Sequence, residues 1–362
     1  MRGDIRPLRI AQVAPLARAV PPPKYGGTER VVANITEELV RMGHDVSLYA
    51  SGDSCTSARL IPGCERALGP NVTPRDFIAP HVSMLEMLSE RQDEYDVVHF
   101  HLDFLHYPLA RRMATPSLTT FHFRLDTPHA RELHQRVNDL AFVSLSQAHR
   151  EPLPGLRWLG TVGNGIPRDL FHLEEHPDPE AIAFVGRFSP DKGAPQAIRI
   201  AEKAGKHLLL AGKADDEERA HFEADIRPLL DRGHVEFVGE VDDAGKQQLL
   251  GRASAFLFPL QWPEPFGLVV IEAMACGTPT VAFDRGAMRE LIEDGVTGFV
   301  VRNETEAVAA LHEVGRLDRR LIRRRFEERF TSERMAREYV RLYRSLLTHP
   351  VPAFRASSLA FA

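Results

Sequence analysis

Two glutamates, Glu264 and Glu272, stand eight residues apart in the stretch EPFGLVVIEAMACGTPTVAF. Glu264 lies in a polar loop that ends in Phe266 and Gly267. Glu272 interrupts the otherwise apolar segment Leu268 to Cys276, which is typical of a short buried helix. A carboxylate in such a helix is costly unless a partner hydrogen-bonds it. The two side chains could therefore bind hydroxyl groups of a ligand.

Between the two carboxylates, the start of this predicted helix forms an anion site. A helix leaves its first N–H groups without intrahelical partners and carries a partial positive charge at that end. Here those groups belong to Gly267, Leu268 and Val269, and phosphate is the anion that suits them best. Glu272 lies one turn deeper, roughly 5–7 Å along the axis. The order of a carboxylate, an anion site and a second carboxylate fits a sugar, a diphosphate and a ribose. The alternative is a plain buried helix in which an arginine or the backbone satisfies Glu272 internally.

Two cations flank a tight turn between a predicted strand, Ala181 to Gly186, and a predicted helix, Ala194 to Ala204. Arg187 and Lys192 would neutralise a diphosphate, the arginine by a bidentate contact and the lysine as a point charge. The Walker consensus GxxxxGK[ST] is not matched, so a P-loop is excluded.

The first half of the chain opens with a predicted βαβ unit: the strands Leu8 to Ala14 and Val46 to Ala50 surround a helix from about Thr28 to Met42. Such a unit implies a parallel sheet with a right-handed crossover. Gly26 and Gly27 lie between the first strand and the helix, at the edge where open α/β sheets bind ligands. Glycines let backbone amides approach a phosphate closely, although a plain turn explains the pair equally well.

Histidines mark the ends of two further predicted strands, Asp96 to Phe100 and Ser117 to Phe121. His99 and His101 flank the end of the first strand, and His122 follows the second. The carboxyl ends of parallel strands are where such sheets place their chemistry. The alternative for each histidine is a strand cap or simple packing against a loop.

The spaced glutamates, the Gly-Arg…Lys-Gly pattern and the Thr-Phe-His at 120–122 resemble the signature of the family-4 retaining glycosyltransferases. The resemblance implies that the first glutamate binds donor-sugar hydroxyls and that the second binds the ribose. The implied catalytic residues are Glu264, Arg187, Lys192 and His122. The implied donor contacts are Gly26, Gly27, Arg187, Lys192, Leu268 and Val269 for the diphosphate, His122, Glu264, Phe266 and Gly267 for the sugar, Glu272 for the ribose, and Val238 and Glu240 for the base.

The resemblance also implies the α/β fold class called GT-B, in which two doubly wound parallel-sheet domains face an interdomain cleft. We expect an N-terminal acceptor-binding domain over 1–165 and a C-terminal nucleotide-sugar-binding domain over 166–342. The C-terminal helix, 343–362, is expected to pack back on the first domain. The boundary Gly163-Asn164-Gly165-Ile166-Pro167 resembles the family's hinge, with Gly163 in place of proline.

The implied reaction moves a sugar, with retained anomeric configuration, from a nucleotide-diphosphate sugar to a hydroxyl of a small molecule, a lipid or an oligosaccharide. A UDP-sugar is the first expectation and a GDP-sugar the second. Neither a cofactor nor a metal is expected, since the sequence has no Asp-x-Asp pair to hold Mg²⁺ or Mn²⁺. A nucleotide-sugar epimerase or hydrolase of the same fold and a non-catalytic nucleotide-sugar-binding module stay open. Within the family, Lys-Tyr-Gly-Gly and Asp-Lys-Gly-Ala resemble the branch that assembles avilamycin-type antibiotics.

Composition narrows the protein class further. The chain has 362 residues and a net charge of −5, which fits two domains and does not point to nucleic acid as a partner. Its three cysteines are too few for a zinc site or a disulfide framework, although Cys55 and Cys64 could pair. No signal peptide and no apolar run of the ~18–20 residues of a membrane span are evident. A cytoplasmic location is therefore expected.

Two basic segments suggest further partners. The loop after His122 is rich in arginine and histidine. A solvated charged surface is the default interpretation, and the alternative is an acceptor that carries phosphate or carboxylate. The basic residues of the loop, together with two that precede it, are Arg124, His129, Arg131, His134, Arg111 and Arg112. Near the end of the chain, Leu317 to Phe330 forms a basic helix with one apolar face. We favour a helix docked on the protein, with peripheral contact to an acidic membrane as the alternative.

Overall fold

Contacts within the chain divide it into two units. The computed structural model describes residues 6–24, 26–69, 72–214 and 218–348. The first unit comprises Met1–Leu145, Arg150–Gly163 and Met335–Ala362, and the second comprises Ser146–His149 and Asn164–Arg334, both less the residues outside the described ranges. Apart from the short segment Ser146–His149, the chain thus changes unit at Asn164 and again at Met335, whereas the sequence predicts changes after 165 and 342. Of the predicted C-terminal helix, 349–362 lie outside the described residues.

The first unit contains a seven-stranded sheet in the order β3-β2-β1-β4-β5-β6-β7. All neighbouring strands run parallel, and the order reverses next to β1, as in doubly wound sheets. The elements are β1 (Arg9–Val13), α1 (Gly27–Arg41), β2 (Asp45–Ser51), β3 (Arg59–Cys64), α2 (Pro74–Glu90), β4 (Val97–Phe100), α3 (Tyr107–Ala110), β5 (Ser117–Thr120), α4 (Pro128–Arg136), β6 (Phe142–Ser144) and β7 (Trp158–Thr161).

The opening βαβ prediction is confirmed by β1, α1 and β2. The predicted apolar stripe of α1 is buried, and its members are Val31, Val32, Ile35 and Leu39. The segment 54–80 is rich in proline, glycine and charge, and its composition predicts an irregular structure. This prediction is wrong, because β3 and the start of α2 fall within the segment. Pro62 and Gly63 made the sequence of β3 atypical of a strand. However, β3 lies at the edge of the sheet, where the missing N–H of a proline is tolerated. Thr73 caps α2 by accepting a hydrogen bond from the N–H of Asp76.

The second unit contains a six-stranded parallel sheet in the order β10-β9-β8-β11-β12-β13. Its strand–helix alternation is again doubly wound, as the sequence predicts. The elements are β8 (Asp178–Val185), α5 (Ala194–Ala204), β9 (His207–Ala211), α6 (Arg219–His221), α7 (Arg227–Leu230), β10 (Val235–Gly239), α8 (Asp243–Arg252), β11 (Ala253–Phe258), α9 (Leu268–Ala275), β12 (Thr280–Phe283), α10 (Met288–Leu291), β13 (Gly298–Val301), α11 (Glu304–Glu313) and α12 (Arg319–Arg329).

The last helix, α13 (Ser332–Thr348), contributes two buried tyrosines to the first unit. Tyr339 and Tyr343 are fully buried, and their hydroxyl groups hydrogen-bond to Thr120 and Gln12. A helix from the end of the chain therefore completes the core of the unit with which the chain begins.

Two expectations about composition can be checked directly. All three cysteines are unpaired, so the alternative disulfide between Cys55 and Cys64 is not formed. Over the described ranges, no helix combines the length and the apolar character that crossing a bilayer requires.

Candidate active site

The predicted anion site begins at Gly267, which caps the N-terminus of α9 with a φ of 100°. This left-handed conformation favours glycine, and a Cβ there would lie 3.2 Å from the Cε of Met288. The helix then starts at Leu268, as predicted, and the first N–H groups of a helix have no intrahelical acceptor. Gly267, Leu268 and Val269 therefore direct their N–H groups away from the helix, where an anion can accept from them. Phe266, just before them, is buried.

The structure brings Lys192 and Glu264 together. The Nζ of Lys192 donates to the Oε2 of Glu264 across 2.5 Å, and each of the two side chains is only 13% exposed to solvent. The ammonium also lies 5.0 Å from the ring centroid of Trp262 and 5.8 Å from that of Phe258. Aromatic faces stabilise a cation at such distances, so the charge of Lys192 is held on two sides.

Glycines fix the two loops that carry this pair. Gly193 follows Lys192 with a φ of 79°, and a Cβ there would lie 2.1 Å from the carbonyl oxygen of Pro259. Gly286 has a φ of 54°, and its Cβ would lie 2.2 Å from the carbonyl oxygen of Glu264. The N–H of Ala287 donates to that same carbonyl at 3.0 Å. Close backbone approach thus sets the position of both charged residues.

Arg187 has an acidic partner that sequence reasoning missed. Its Nη1 donates to the Oε1 of Glu218 at 2.9 Å, and about a third of its side chain (32%) stays exposed. Glu218 lies 31 residues further along the chain, so no local pattern joins the two. The arginine lies two residues after β8, at the carboxyl end of a parallel strand, as the sequence predicts.

The buried carboxylate of Glu272 is satisfied by a lysine. The Nζ of Lys246, on α8, donates to the Oε1 of Glu272 at 2.6 Å and also lies 3.0 Å from the Oδ1 of Asp243. The side chain of Glu272 keeps 5% of its exposure. The sequence-based alternative named an arginine or backbone as the internal partner, and the observed partner is neither. An ion pair with one lysine still leaves a carboxylate with acceptor capacity for hydroxyl groups.

The predicted base contacts lie around the end of β10. Val238 is an exposed residue of that strand, and Glu240 follows it with its Oε1 4.0 Å from the Nζ of Lys213. The N–H of Gly212 donates to the carbonyl of Gly239 at 2.8 Å, which joins this strand end to that of β9. The role of Val238 and Glu240 in binding a base stays a prediction.

Arginines of α12 hold the far end of α9, and sequence reasoning missed them too. Arg323 donates through Nη1 to the carbonyl of Ala275 at 2.8 Å, at the C-terminus of α9. Arg319 donates to the carbonyls of Gly251 and Ala253, both at 3.1 Å. Burial lowers the pKa of Arg319 to about 10. With Ile322 and Phe326 of the apolar face also buried, α12 is docked on the second unit, in agreement with the favoured interpretation.

In the first unit, Gly26 and Gly27 lie where the sequence places them. Gly27 is the first residue of α1, and the carbonyl of Gly26 accepts from the N–H of Arg30 at 3.1 Å. A Cβ on Gly26 would lie 2.8 Å from two carbons of the Pro22 side chain, so only glycine fits. Tyr25, part of the quoted Lys-Tyr-Gly-Gly motif, lies outside the described residues.

His122 lies two residues after β5 and contacts a second histidine. Its Nε2 lies 2.9 Å from the Nδ1 of His101, which follows β4. His99 and His101 are buried, whereas His122 is half-buried. Of the three histidines, His122 therefore keeps the most exposure, and its contact with a donor sugar stays a prediction.

The basic loop after His122 is partly neutralised by carboxylates. Arg124 forms a bidentate pair with Asp126, with both N–O distances at 2.7 Å, and Arg111 donates to Asp139 at 3.0 Å. His134 is buried and lies 2.8 Å from the hydroxyl of Tyr107. These pairings reduce the surplus charge available to an anionic acceptor.

Within the described ranges, no group of three or more histidine, cysteine, aspartate or glutamate side chains is arranged to hold a metal ion. The predicted site residues fall in both units: Gly26, Gly27 and His122 in the first, and the remainder in the second.

Comparison with known proteins agrees with this architecture. Residues 166–328 match the family described as Glycosyl transferases group 1, and residues 25–156 match Glycosyltransferase Family 4. A phosphatidyl-myo-inositol mannosyltransferase of Mycobacterium leprae is 32% identical over 388 aligned positions, which cover 94% of this chain and 98% of the relative.

Solved structures are similar over nearly the full length. AviGT4, a glycosyltransferase involved in avilamycin A biosynthesis, is 28% identical with a TM-score of 0.75, and the alignment covers 95% of this chain and 99% of AviGT4. The Anabaena protein HepE, crystallised with UDP and glucose, is 20% identical with a TM-score of 0.67, covering 94% and 100%, and supports the fold alone. Two doubly wound parallel sheets, two matching family descriptions and a relative aligned almost end to end show that this chain belongs to the family-4 glycosyltransferases of the GT-B fold.

Proposed function

We propose that the protein transfers a sugar, with retained anomeric configuration and without a metal ion, from a nucleotide-diphosphate sugar to an acceptor hydroxyl. The observation that carries this proposal is the 2.5 Å contact between Lys192 and Glu264 in the loops beside the N-terminus of α9. It joins a cation suited to phosphate and a carboxylate suited to sugar hydroxyls. A UDP-sugar is the first donor to test and a GDP-sugar the second.

The pair can serve both parts of the donor at once. An ammonium group has three donors and a carboxylate about four acceptor sites. Lys192 can therefore donate to a phosphate oxygen while it stays bonded to Glu264, and Glu264 can accept from sugar hydroxyls. As the bond to the sugar breaks, negative charge develops on the leaving diphosphate. One preorganised donor at such a position is worth ~3–4 kcal/mol in the barrier.

Arg187 would supply the second cation. Its guanidinium offers five N–H donors, so it can bind a phosphate bidentately while one donor keeps its contact with Glu218. Together with the N–H groups of Gly267, Leu268 and Val269, it would hold the diphosphate at the start of α9. These groups would take the place of a metal ion in stabilising the leaving group.

Glu272 would bind the ribose one turn deeper in α9. Its contact with Lys246 supports this role, because a single lysine partner fixes the carboxylate and leaves acceptor capacity for the ribose hydroxyls. An ionised carboxylate accepts hydrogen bonds from both ribose hydroxyls more strongly than a neutral acid does.

In the first unit, we propose that Gly26 and Gly27 face the diphosphate and that His122 contacts the donor sugar. No side chain is assigned as general base. Instead, the departing phosphate oxygen would accept the proton of the acceptor hydroxyl on the same face of the sugar, which is consistent with retention.

The acceptor is a small-molecule, lipid or oligosaccharide hydroxyl, and the basic residues Arg131 and His129 favour one that carries an anionic group. Three unpaired thiols fit a reducing, cytoplasmic location.

A thermal-shift screen of UDP-, GDP- and ADP-sugars tests the donor, because a ligand of the native state raises the unfolding midpoint with its occupancy. A donor that binds is then incubated in EDTA with sugar and lipid acceptors, and nucleotide release is measured. Acceptor-dependent release is expected. Release of free or epimerised sugar at a rate that no acceptor increases would indicate the hydrolase or epimerase alternative. Binding without release under any condition would indicate a binding module, and no binding of any donor would refute the proposal.

A further inference from the structure

A continuous series of side-chain hydrogen bonds runs inward from His122 in the first unit. The Nε2 of His122 lies 2.9 Å from the Nδ1 of His101, and the Nε2 of His101 lies 2.8 Å from the Oε1 of Gln12. The Nε2 of Gln12 donates to the hydroxyl of Tyr343 at 3.0 Å. Three elements, β1, the end of β4 and α13, thus meet behind the histidine that we assign to the donor sugar.

The series continues beyond the tyrosine. The hydroxyl of Tyr343 lies 2.8 Å from the Nδ1 of His99, whose Nε2 lies 2.7 Å from the Oγ1 of Thr120. Thr120 in turn contacts the hydroxyl of Tyr339 at 3.0 Å. These residues are all buried, so each polar atom must find its partner inside the protein. A buried network of this kind rigidifies its members when it is fully satisfied.

The orientation of the Gln12 amide determines which group is the donor in each hydrogen bond of the series. Its oxygen accepts, so His101 carries its proton on Nε2 and presents the lone pair of Nδ1. That lone pair accepts a hydrogen bond, and the donor at 2.9 Å is the Nε2–H of His122. On the other side, the Gln12 N–H group donates to Tyr343, whose hydroxyl proton is then directed at His99. Rotation of the amide by 180° would reverse all links together.

Neutral rings are required for this arrangement, since an imidazolium has no acceptor nitrogen. Burial lowers the pKa of His101 and of His99 well below the ordinary histidine range, and neighbouring imidazoles lower it further. Both rings are therefore neutral near pH 7, and each has one donor and one acceptor nitrogen.

We propose that Gln12 and His101 are positioning residues that hold His122 in its Nε2–H tautomer. The Nδ1 of His122 then carries the lone pair and accepts a hydrogen bond from a hydroxyl of the donor sugar. This inference rests on the proposed function in one respect only, the contact of His122 with the sugar. For a neutral His122 ring, the tautomer itself follows from the hydrogen bonds of the network.

The tautomer can be read without substrate by long-range ¹H–¹⁵N spectroscopy of histidine-labelled protein. The expected result is a protonated Nε2 on both His122 and His101. His101→Asn places the Oδ1 of asparagine near the former Nδ1, so His122 should keep its Nε2–H tautomer. His101→Leu removes the acceptor, and the slowly exchanging N–H signal of His122 should be lost. Thermal unfolding confirms that each variant is folded.

Two results would overturn the assignment. One is an Nδ1–H tautomer of His122 in the unaltered protein, which would mean that the Gln12 amide has the opposite orientation. The other is a folded His101→Asn protein in which the His122 tautomer is lost. Should the leucine variant fail to fold, the asparagine variant still decides the question.

Calorimetric titration with the nucleotide sugar found in the screen, and with its nucleotide diphosphate alone, tests the effect on binding. His101→Leu should weaken the nucleotide sugar about 5–10-fold, as expected for one hydrogen bond, and leave the nucleotide unchanged. Equal weakening of both ligands would refute a role for the pair in sugar recognition. Normal nucleotide-sugar binding by His122→Ala would refute the sugar contact in the proposed function, while the spectra would still report on the tautomer.

Discussion

Replacing Lys192 by methionine removes one positive charge from the second unit while keeping most of the side chain. The methionine can still pack against the rings of Trp262 and Phe258, which lie 5.0 and 5.8 Å from the ammonium. What is lost is the 2.5 Å contact with Glu264 and the charge that we assign to the donor diphosphate. The variant therefore separates electrostatics from packing.

The size of the effect follows from the position of the charge. Removing one preorganised donor to a developing negative charge costs ~10²–10³ in turnover, or ~3–4 kcal/mol in the barrier. Removing one partner of a fully buried ion pair costs ~3–5 kcal/mol of stability, and the 13% exposure of Lys192 and Glu264 lowers our expectation to about 2 kcal/mol. Lys192→Met should therefore fold, with a lowered unfolding midpoint and turnover reduced by two to three decades.

Denaturant unfolding and initial rates of nucleotide release measure the two effects on the same protein. Adding Glu264→Gln to Lys192→Met should restore part of the stability, because no unpaired carboxylate remains, and should not restore turnover. Lys203→Met is the matched control: this exposed lysine of α5 pairs with Glu304, and its loss should change turnover less than twofold. Turnover of Lys192→Met within threefold of the unaltered protein would refute the assignment of Lys192 to the leaving group.

Three further predictions concern the groups around the site. Lys246→Met leaves the buried Glu272 without its cation and should weaken nucleotide binding at least tenfold in titration calorimetry. An unchanged affinity for the nucleotide would contradict the assignment of Glu272 to the ribose. Tyr343→Phe leaves polar atoms of Gln12 and His99 without a partner and should lower the free energy of unfolding by about 1–3 kcal/mol. An unchanged free energy of unfolding would mean that Gln12 and His99 find other hydrogen-bond partners. Stability should fall as the pH is lowered from 7 to 5.5, because the unfolded chain binds protons at histidines whose folded pKa is depressed. Among the described residues, six histidines have this depression and outweigh two carboxyl groups with raised pKa. A stability that rises over this range would contradict the burial-based signs for His44, His81, His99, His101, His106, His134, Asp103 and Glu29.

Local patterns in the sequence were enough to predict the elements that carry the site. The run after Gly267 predicts α9 because a segment that is apolar all round is typical of a buried helix and because Gly277 and Pro279 end it. The structure starts the helix at Leu268. The βαβ unit at the N-terminus follows equally from its periodicity. Where proline and glycine interrupt the pattern, as in β3, the prediction fails, because an edge strand tolerates a missing N–H that a central strand would not.

The partners of the site residues could not be predicted in the same way. Glu218 and Lys246 lie 31 and 26 residues from the groups that they pair with, and their spacing reflects the packing of helices rather than any local period. The same holds for Tyr343, which reaches Gln12 across 331 residues. A sequence motif therefore predicts candidate ligand contacts, whereas the residues that pair with them can be identified only from the folded structure.

The central claim, retaining transfer from a nucleotide sugar without a metal, can be tested without the acceptor. Many transferases slowly pass the sugar to water, so proton NMR in EDTA can identify the first-formed anomer of the sugar that the protein releases from its donor. We predict the same anomeric configuration as in the nucleotide sugar, and the loss of this activity in Lys192→Met. Release of the opposite anomer first, or turnover only after a divalent metal is added, would contradict the account.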